Sequence, residues 1–151
     1  MKKFVFKQEP LYEFRKLLEE LSQIELAAAL KRLDEEEAKL SVLKGIYRKS
    51  SGEADDLKEK GAPVSDISMY HDYLSAVKRH IAEQEGLLRK FREVFEKKRN
   101  ELLDASRNKK VLETMKEKSY NDYIVQAEKI EQKITDDMVV SRFKRSGGDE
   151  V

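Results

Sequence analysis

Residues 70–105 read YHDYLSAVKRHIAEQEGLLRKFREVFEKKRNELLDA. Tyr70, Leu74, Val77, Ile81, Gln84, Leu88, Phe91, Phe95, Lys98, Leu102 and Ala105 form one unbroken series of alternating fours and threes. That rhythm is the seam of a coiled coil, where one helical stripe buries against another helix. Gln84 and Lys98 are polar at seam positions, where such residues weaken packing and help fix register. The stretch therefore predicts a long helix that needs a partner helix.

Upstream, the partner is in the same chain. Pro10 suits a first helical turn, where its missing N–H would have no acceptor anyway. From Leu11, apolar residues recur as Phe14, Leu17, Leu21 and Ile24. Near Ala27-Ala28-Ala29 the stripe changes phase and resumes as Leu26, Leu30, Leu33, Leu40, Leu43 and Tyr47. A phase change of this kind resembles a stutter. Two breaks follow, Ser50-Ser51-Gly52 and Lys60-Gly61-Ala62-Pro63, and the first helix ends at one or the other. Ser65 or Asp66 offers a side-chain oxygen to cap the next helix.

Downstream of residue 105, Leu112 and Met115 precede a further stripe of Tyr120, Tyr123, Ala127, Ile130 and Ile134. The predicted fold is all-α, an antiparallel two-helix coiled-coil hairpin with the longer helix second. It forms one domain over 1–151, with helix one at about 10–60, a break at about 50–65, helix two at about 66–142 and a flexible tail at 143–151. Folding back about that break sets Tyr47 near Tyr70 and Leu26 near Phe91. Roughly the last 25 to 30 residues of helix two would overhang. The overhang carries Tyr123, Ile130 and Ile134, a stripe that needs another protein or another copy to cover it.

Composition narrows the function. The chain has 151 residues, no Cys, two Pro and six Gly. A disulfide framework and a cysteine zinc site are excluded. So few turn formers cannot serve a many-stranded sheet. Lys and Arg number 31 against 30 Asp and Glu, a balance that disfavours a dedicated nucleic-acid binder. No apolar run matches a signal peptide or a spanning helix, which predicts a soluble cytoplasmic protein.

No catalytic constellation emerges. Asp34-Glu35-Glu36-Glu37 are consecutive, point in different directions on a helix and read as a solvated face. His71 and His80 are nine residues apart, off the spacing of a helical metal pair. Gly147-Gly148 has no following helix and makes no phosphate loop. We expect no enzyme, no metal and no cofactor. Residues 97–118 hold eight Lys and Arg against four Asp and Glu, so a basic excess survives there. It is either a charged solvent face or a contact surface for an acidic partner. Tyr73, one position off Leu74, either covers the seam or serves an interface.

The order of these features resembles the FliJ family, small coiled-coil proteins of the flagellar type III export apparatus. The match runs over about residues 10–143. It rests on a Leu-rich first helix and Tyr47-Arg48 before a Gly-containing break. Tyr70-His71-Asp72-Tyr73-Leu74 opens the second helix, and Arg107-Asn108-Lys109-Lys110-Val111-Leu112 follows. Glu131-Gln132-Lys133, Asp136-Asp137 and Phe143 close it. The resemblance implies a stalk similar to that of F-type ATPases. It also implies a hexameric export ATPase whose ring assembly the protein promotes, the cytoplasmic side of the export gate, and export chaperones as partners. By position it assigns gate contact to Leu40, Leu43, Tyr47, Tyr73, Val77 and His80. Leu43 stands where the family has an aromatic, and Val77 where it has a larger aliphatic. ATPase contact falls on Arg107, Lys109, Lys110, Tyr123 and Ile130. No nucleic acid is implied, and the location is peripheral to the inner face of the cell membrane. The alternatives are the equivalent stalk of an injectisome and a purely structural tethering coiled coil.

Overall fold

The computed structural model describes residues 2–148. Two helices account for most of them: α1, Glu9–Lys60, and α2, Val64–Gly147. They pack against each other as a helical hairpin. No strand is present among the described residues. By contacts the chain divides into two units, Glu19–Asp104 and Met1–Leu18 with Ala105–Val151.

The unit Glu19–Asp104 contains the fold-back. Gly61 has a φ of 72°. Its N–H donates to the Lys58 carbonyl at 3.3 Å, and the Ala62 N–H donates to the Leu57 carbonyl at 3.0 Å. These two bonds make a Schellman ending, which needs a left-handed residue at the Gly61 position. The Pro63 carbonyl then accepts from the Asp66 N–H at 3.0 Å and starts α2. Ser65 and Asp66 therefore lie inside the first turn rather than at the cap. Asp66 there still complements the helix dipole.

Of the two break points, Ser50-Ser51-Gly52 is helical throughout. Ser50 and Ala54 are buried in the seam, and Gly52 faces solvent with open space around it. A helical glycine costs about 1 kcal/mol relative to alanine, too little to break a helix held by packing.

Pairing runs antiparallel, but shifted from the expectation. The Tyr70 hydroxyl donates to Glu53 at 3.2 Å, not to a group near Tyr47. Tyr47 instead lies beneath the Lys78 ammonium, 6.0 Å from the ring centre. Phe91 sits under the Arg32 guanidinium at 5.1 Å rather than beside Leu26. The shift is nearly two helical turns. Its cause is the turn position, because Gly61 to Pro63 lies further along the chain than the middle of the expected break.

Every member of the 70–105 series is buried or half-buried, so the α2 seam is the one the spacing predicts. The α1 seam differs in its first half. Tyr12, Arg15, Glu19, Ser22, Leu26, Ala29 and Leu33 are the covered positions. Phe14, Leu17, Leu21 and Ile24, expected in the seam, are 48–67% exposed, and Leu30 is exposed too. There is no stutter. The apolar residues change face, while the seam continues unbroken in fours and threes. One reason lies on α2, where Lys98 occupies a seam position and takes Glu25 as its partner at 3.0 Å.

In the other unit the N-terminal segment folds along α2. Phe4 packs edge-on to Tyr120 at 5.3 Å and tilted against Tyr123 at 5.5 Å. The Tyr123 hydroxyl donates to the Lys2 carbonyl at 2.9 Å. Phe6 is buried, and its carbonyl accepts the Glu9 N–H at 3.1 Å where α1 begins. Tyr123 is thus covered, and the overhang is shorter than expected. It starts at Glu128, from which every described residue is exposed. The helix continues past Arg142 to Gly147, since nothing breaks it and Lys144 and Arg145 favour its C-terminal end.

Candidate functional site: interaction surfaces on the two helices

The six residues assigned to the hairpin tip all lie in the unit Glu19–Asp104. Leu40, Leu43 and Tyr47 follow one another along the α1 seam and are half-buried. Tyr73, Val77 and His80 occupy the facing stretch of α2, and the Tyr47–Lys78 contact fixes that apposition. Their exposures divide them. Tyr73 is 49% exposed and Val77 only 6%. His80 faces solvent with Glu83 at 3.7 Å. Tyr73 and His80 can therefore meet a partner directly, while Val77 props the surface from within the seam.

Next to them, Ser50, Glu53, Met69, Tyr70 and Tyr73 line a shallow hollow. The Tyr70 hydroxyl is held above its usual pKa by its hydrogen bond to Glu53, then by that carboxylate's charge and by desolvation. Such a hollow, with aromatic walls and one carboxylate, suits a protruding side chain of another protein.

The acidic run hides the site that the charge pattern missed. Glu36 is 1% exposed, not solvated. Its carboxylate accepts from Gln84 at 2.6 Å and from Lys39 at 3.1 Å, with Arg32 at 3.3 Å. Gln84 also donates to the Glu36 carbonyl at 3.1 Å. The Gln84 hydrogen bond, followed by the Lys39 hydrogen bond and the two cationic charges, holds the Glu36 pKa below its ordinary value against the cost of burial. The signal was present in the spacing. Glu36 stands three after Leu33 and four before Leu40, in phase with the seam.

The five residues assigned to ATPase contact lie in the other unit. Arg107 and Lys110 are exposed, with Lys110 3.7 Å from Glu113, and Lys109 is half-buried. Tyr123 is engaged by Phe4 and Lys2, and Ile130 is half exposed on the overhang. The geometry therefore groups the three basic residues on one stretch of α2 and sets Tyr123 and Ile130 further along it. Nearby, Lys116 binds Glu9 at 2.9 Å over the Tyr12 ring. The Glu9 hydrogen bond, opposed by desolvation and aided by the charge of Glu9, raises the Lys116 pKa. The basic excess is thus partly neutralised by the fold, since Lys98, Lys110 and Lys116 each hold an acidic partner.

Among the described residues no group of three His, Asp or Glu side chains is placed to hold a metal ion. No described helix is long and apolar enough to cross a membrane. What the surfaces offer is recognition, through an aromatic-lined tip and a mixed-charge helix.

Residues 6–148 match the family model described as Flagellar FliJ protein. No curated protein and no solved structure matches the chain.

Proposed function

The chain belongs to the FliJ family of flagellar, export-related coiled-coil proteins, and from that premise we propose that it works as a stalk of the type III export apparatus. It carries no chemistry of its own. It binds the hexameric export ATPase, promotes assembly of its ring, and links it to the export gate and the export chaperones. The observation that carries this reading is the family match over nearly the whole chain, on a two-helix hairpin.

The tip surface around Tyr73, Tyr47 and His80 is the gate contact, with Leu40 and Leu43 beside it and Val77 beneath. Tyrosine suits that role because it combines apolar area with a polar tip at low entropic cost. The basic stretch at Arg107, Lys109 and Lys110, with Tyr123 and the exposed Ile130, is the ATPase contact. Opposite charge there speeds encounter and sets orientation. The protein acts in the cytoplasm, held to the inner face of the membrane through the apparatus.

Co-purification tests the assignment. The full chain should elute with a purified flagellar export ATPase and raise the hexameric fraction. An ATPase whose assembly is unchanged by excess protein would refute it.

A further inference from the structure

At the fold-back end of the unit Glu19–Asp104, one wall of a hollow is a carboxylate and the others are aromatic and thioether surface. Glu53 comes from α1, and Met69, Tyr70 and Tyr73 come from α2. Met69 and Tyr73 are an i, i+4 pair, so they stand on one face of α2. They are 71% and 49% exposed, which makes them walls of an open site rather than parts of the seam.

Glu53 is set apart from the other carboxylates that reach between the helices of this unit. Glu25 holds Lys98 at 3.0 Å, Glu37 holds Arg92 at 3.5 Å and Glu85 holds Lys44 at 3.7 Å. Glu36 has Gln84 from α2 and the cations Arg32 and Lys39 from its own helix. Glu53 receives the neutral Tyr70 hydroxyl at 3.2 Å, and among the described residues no cation pairs with it. That bond orients the carboxylate at the hollow and leaves its charge uncompensated.

The charge around the hollow selects the occupant. From Ser50 to Tyr73 the chain has six Asp and Glu against two Lys. An acidic side chain is repelled there, and an apolar one would cover a charged carboxylate at a desolvation cost. An arginine satisfies every wall. Its guanidinium stacks on a tyrosine ring and pairs with a carboxylate through two parallel N–H bonds, while its methylenes lie along a methionine.

We propose that the Glu53-Met69-Tyr70-Tyr73 hollow captures an arginine side chain from a basic segment of another protein. The inference shares Tyr73 with the gate contact but needs no gate, since it stands on the hollow whichever protein supplies the arginine.

The test uses the full chain, labelled with carbon-13 at its methionine methyl groups, and short Gly-Ser peptides that carry spaced Arg, Lys or citrulline. Citrulline keeps the shape of arginine without its charge. The Arg peptide should move the Met69 signal, assigned with Met69→Leu, along a saturable curve. The Lys peptide should bind about threefold more weakly, because it lacks the planar fork. The citrulline peptide should bind about tenfold more weakly or worse. Glu53→Gln should weaken the Arg peptide about tenfold. Tyr73→Leu, which keeps an apolar wall but loses the ring, should weaken it about threefold. Glu53 and Tyr73 are exposed, so helicity by circular dichroism should stay unchanged. Asp72→Asn, outside the hollow, controls for diffuse charge and should cost about twofold or less. The proposal is overturned if the Met69 signal does not saturate, or if the Lys or citrulline peptide binds as well as the Arg peptide. It is equally overturned if Glu53→Gln or Tyr73→Leu leaves binding intact, or if Asp72→Asn weakens it as much as Glu53→Gln. Dimerisation of the chain that Glu53→Gln abolishes would also overturn it, by making a second copy the occupant.

Discussion

Gln84 on α2 donates a 2.6 Å hydrogen bond to the carboxylate of Glu36 on α1, in the seam between the helices. A polar pair set at one level of an apolar seam penalises other registers, because sliding would break the bonds between Gln84 and Glu36 and leave the buried carboxylate with only Arg32 and Lys39 of its own helix. Glu36 and Gln84 thus do for the hairpin what the apolar residues around them cannot, which is to select one alignment.

This pair makes stability depend on acid. The Glu36 pKa is depressed in the fold, so its contribution is complete above the ordinary glutamate value of 4.5 and is lost as pH falls through the folded value. Thermal unfolding should therefore show the melting temperature dropping below about pH 4.5. Glu36→Gln should flatten that acid limb. An unchanged slope in the variant would place the acid sensitivity elsewhere.

Seam and outer-face leucines should differ sharply. Leu88 and Leu112 are buried to the same degree, and Leu→Ala at either should cost about 2–5 kcal/mol in chemical denaturation. Leu17→Ala, on the exposed stripe, should fall within about 0.5 kcal/mol of the parent. Equal losses at the two kinds of site would mean that the outer stripe is buried in the free protein.

The two glycines at the candidate breaks should respond with opposite signs. Gly61 is left-handed, and Gly61→Ala should destabilise by about 1–2 kcal/mol. Gly52 is helical and has open space about it, so Gly52→Ala should stabilise by about 0.5–1 kcal/mol. Melting temperatures of the two variants check this directly.

At the tip, Tyr73→Ala should lower binding to the cytoplasmic domain of the export gate while leaving helicity intact, since half of its side chain is outside the seam. Val77→Ala should instead lower stability and gate binding together, because Val77 is part of the packing. A pull-down with the gate domain, read beside circular dichroism, separates the two.

The α2 seam was legible because every fourth and third position from Tyr70 to Ala105 fits one face, and its exceptions, Gln84 and Lys98, kept the phase. The fold class followed from that seam together with the Leu-rich stripe upstream and the Gly-Pro break between them. The first half of α1 was misleading for a physical reason. Its best apolar stripe is not its intramolecular seam, and periodicity reveals that a face wants covering without saying by what. Glu36 was hidden by its neighbours Glu35 and Glu37, which are exposed as the charge run suggested. The turn could not be placed between two glycine-containing breaks until burial of Ser50 and Ala54 showed which one packing overrides. At the candidate site, Tyr73 was readable as a flank residue from its offset to Leu74. The clasp of Phe4 on Tyr120 and Tyr123 was not, since an extended segment carries no helical rhythm.

Hydrolysis by a purified flagellar export ATPase, with and without this chain, tests the central claim most directly. The account predicts that added protein raises the rate, and that reversing Lys109 and Lys110 to Glu removes most of the gain in a salt-sensitive way. A rate that stays flat across a saturating titration would contradict it.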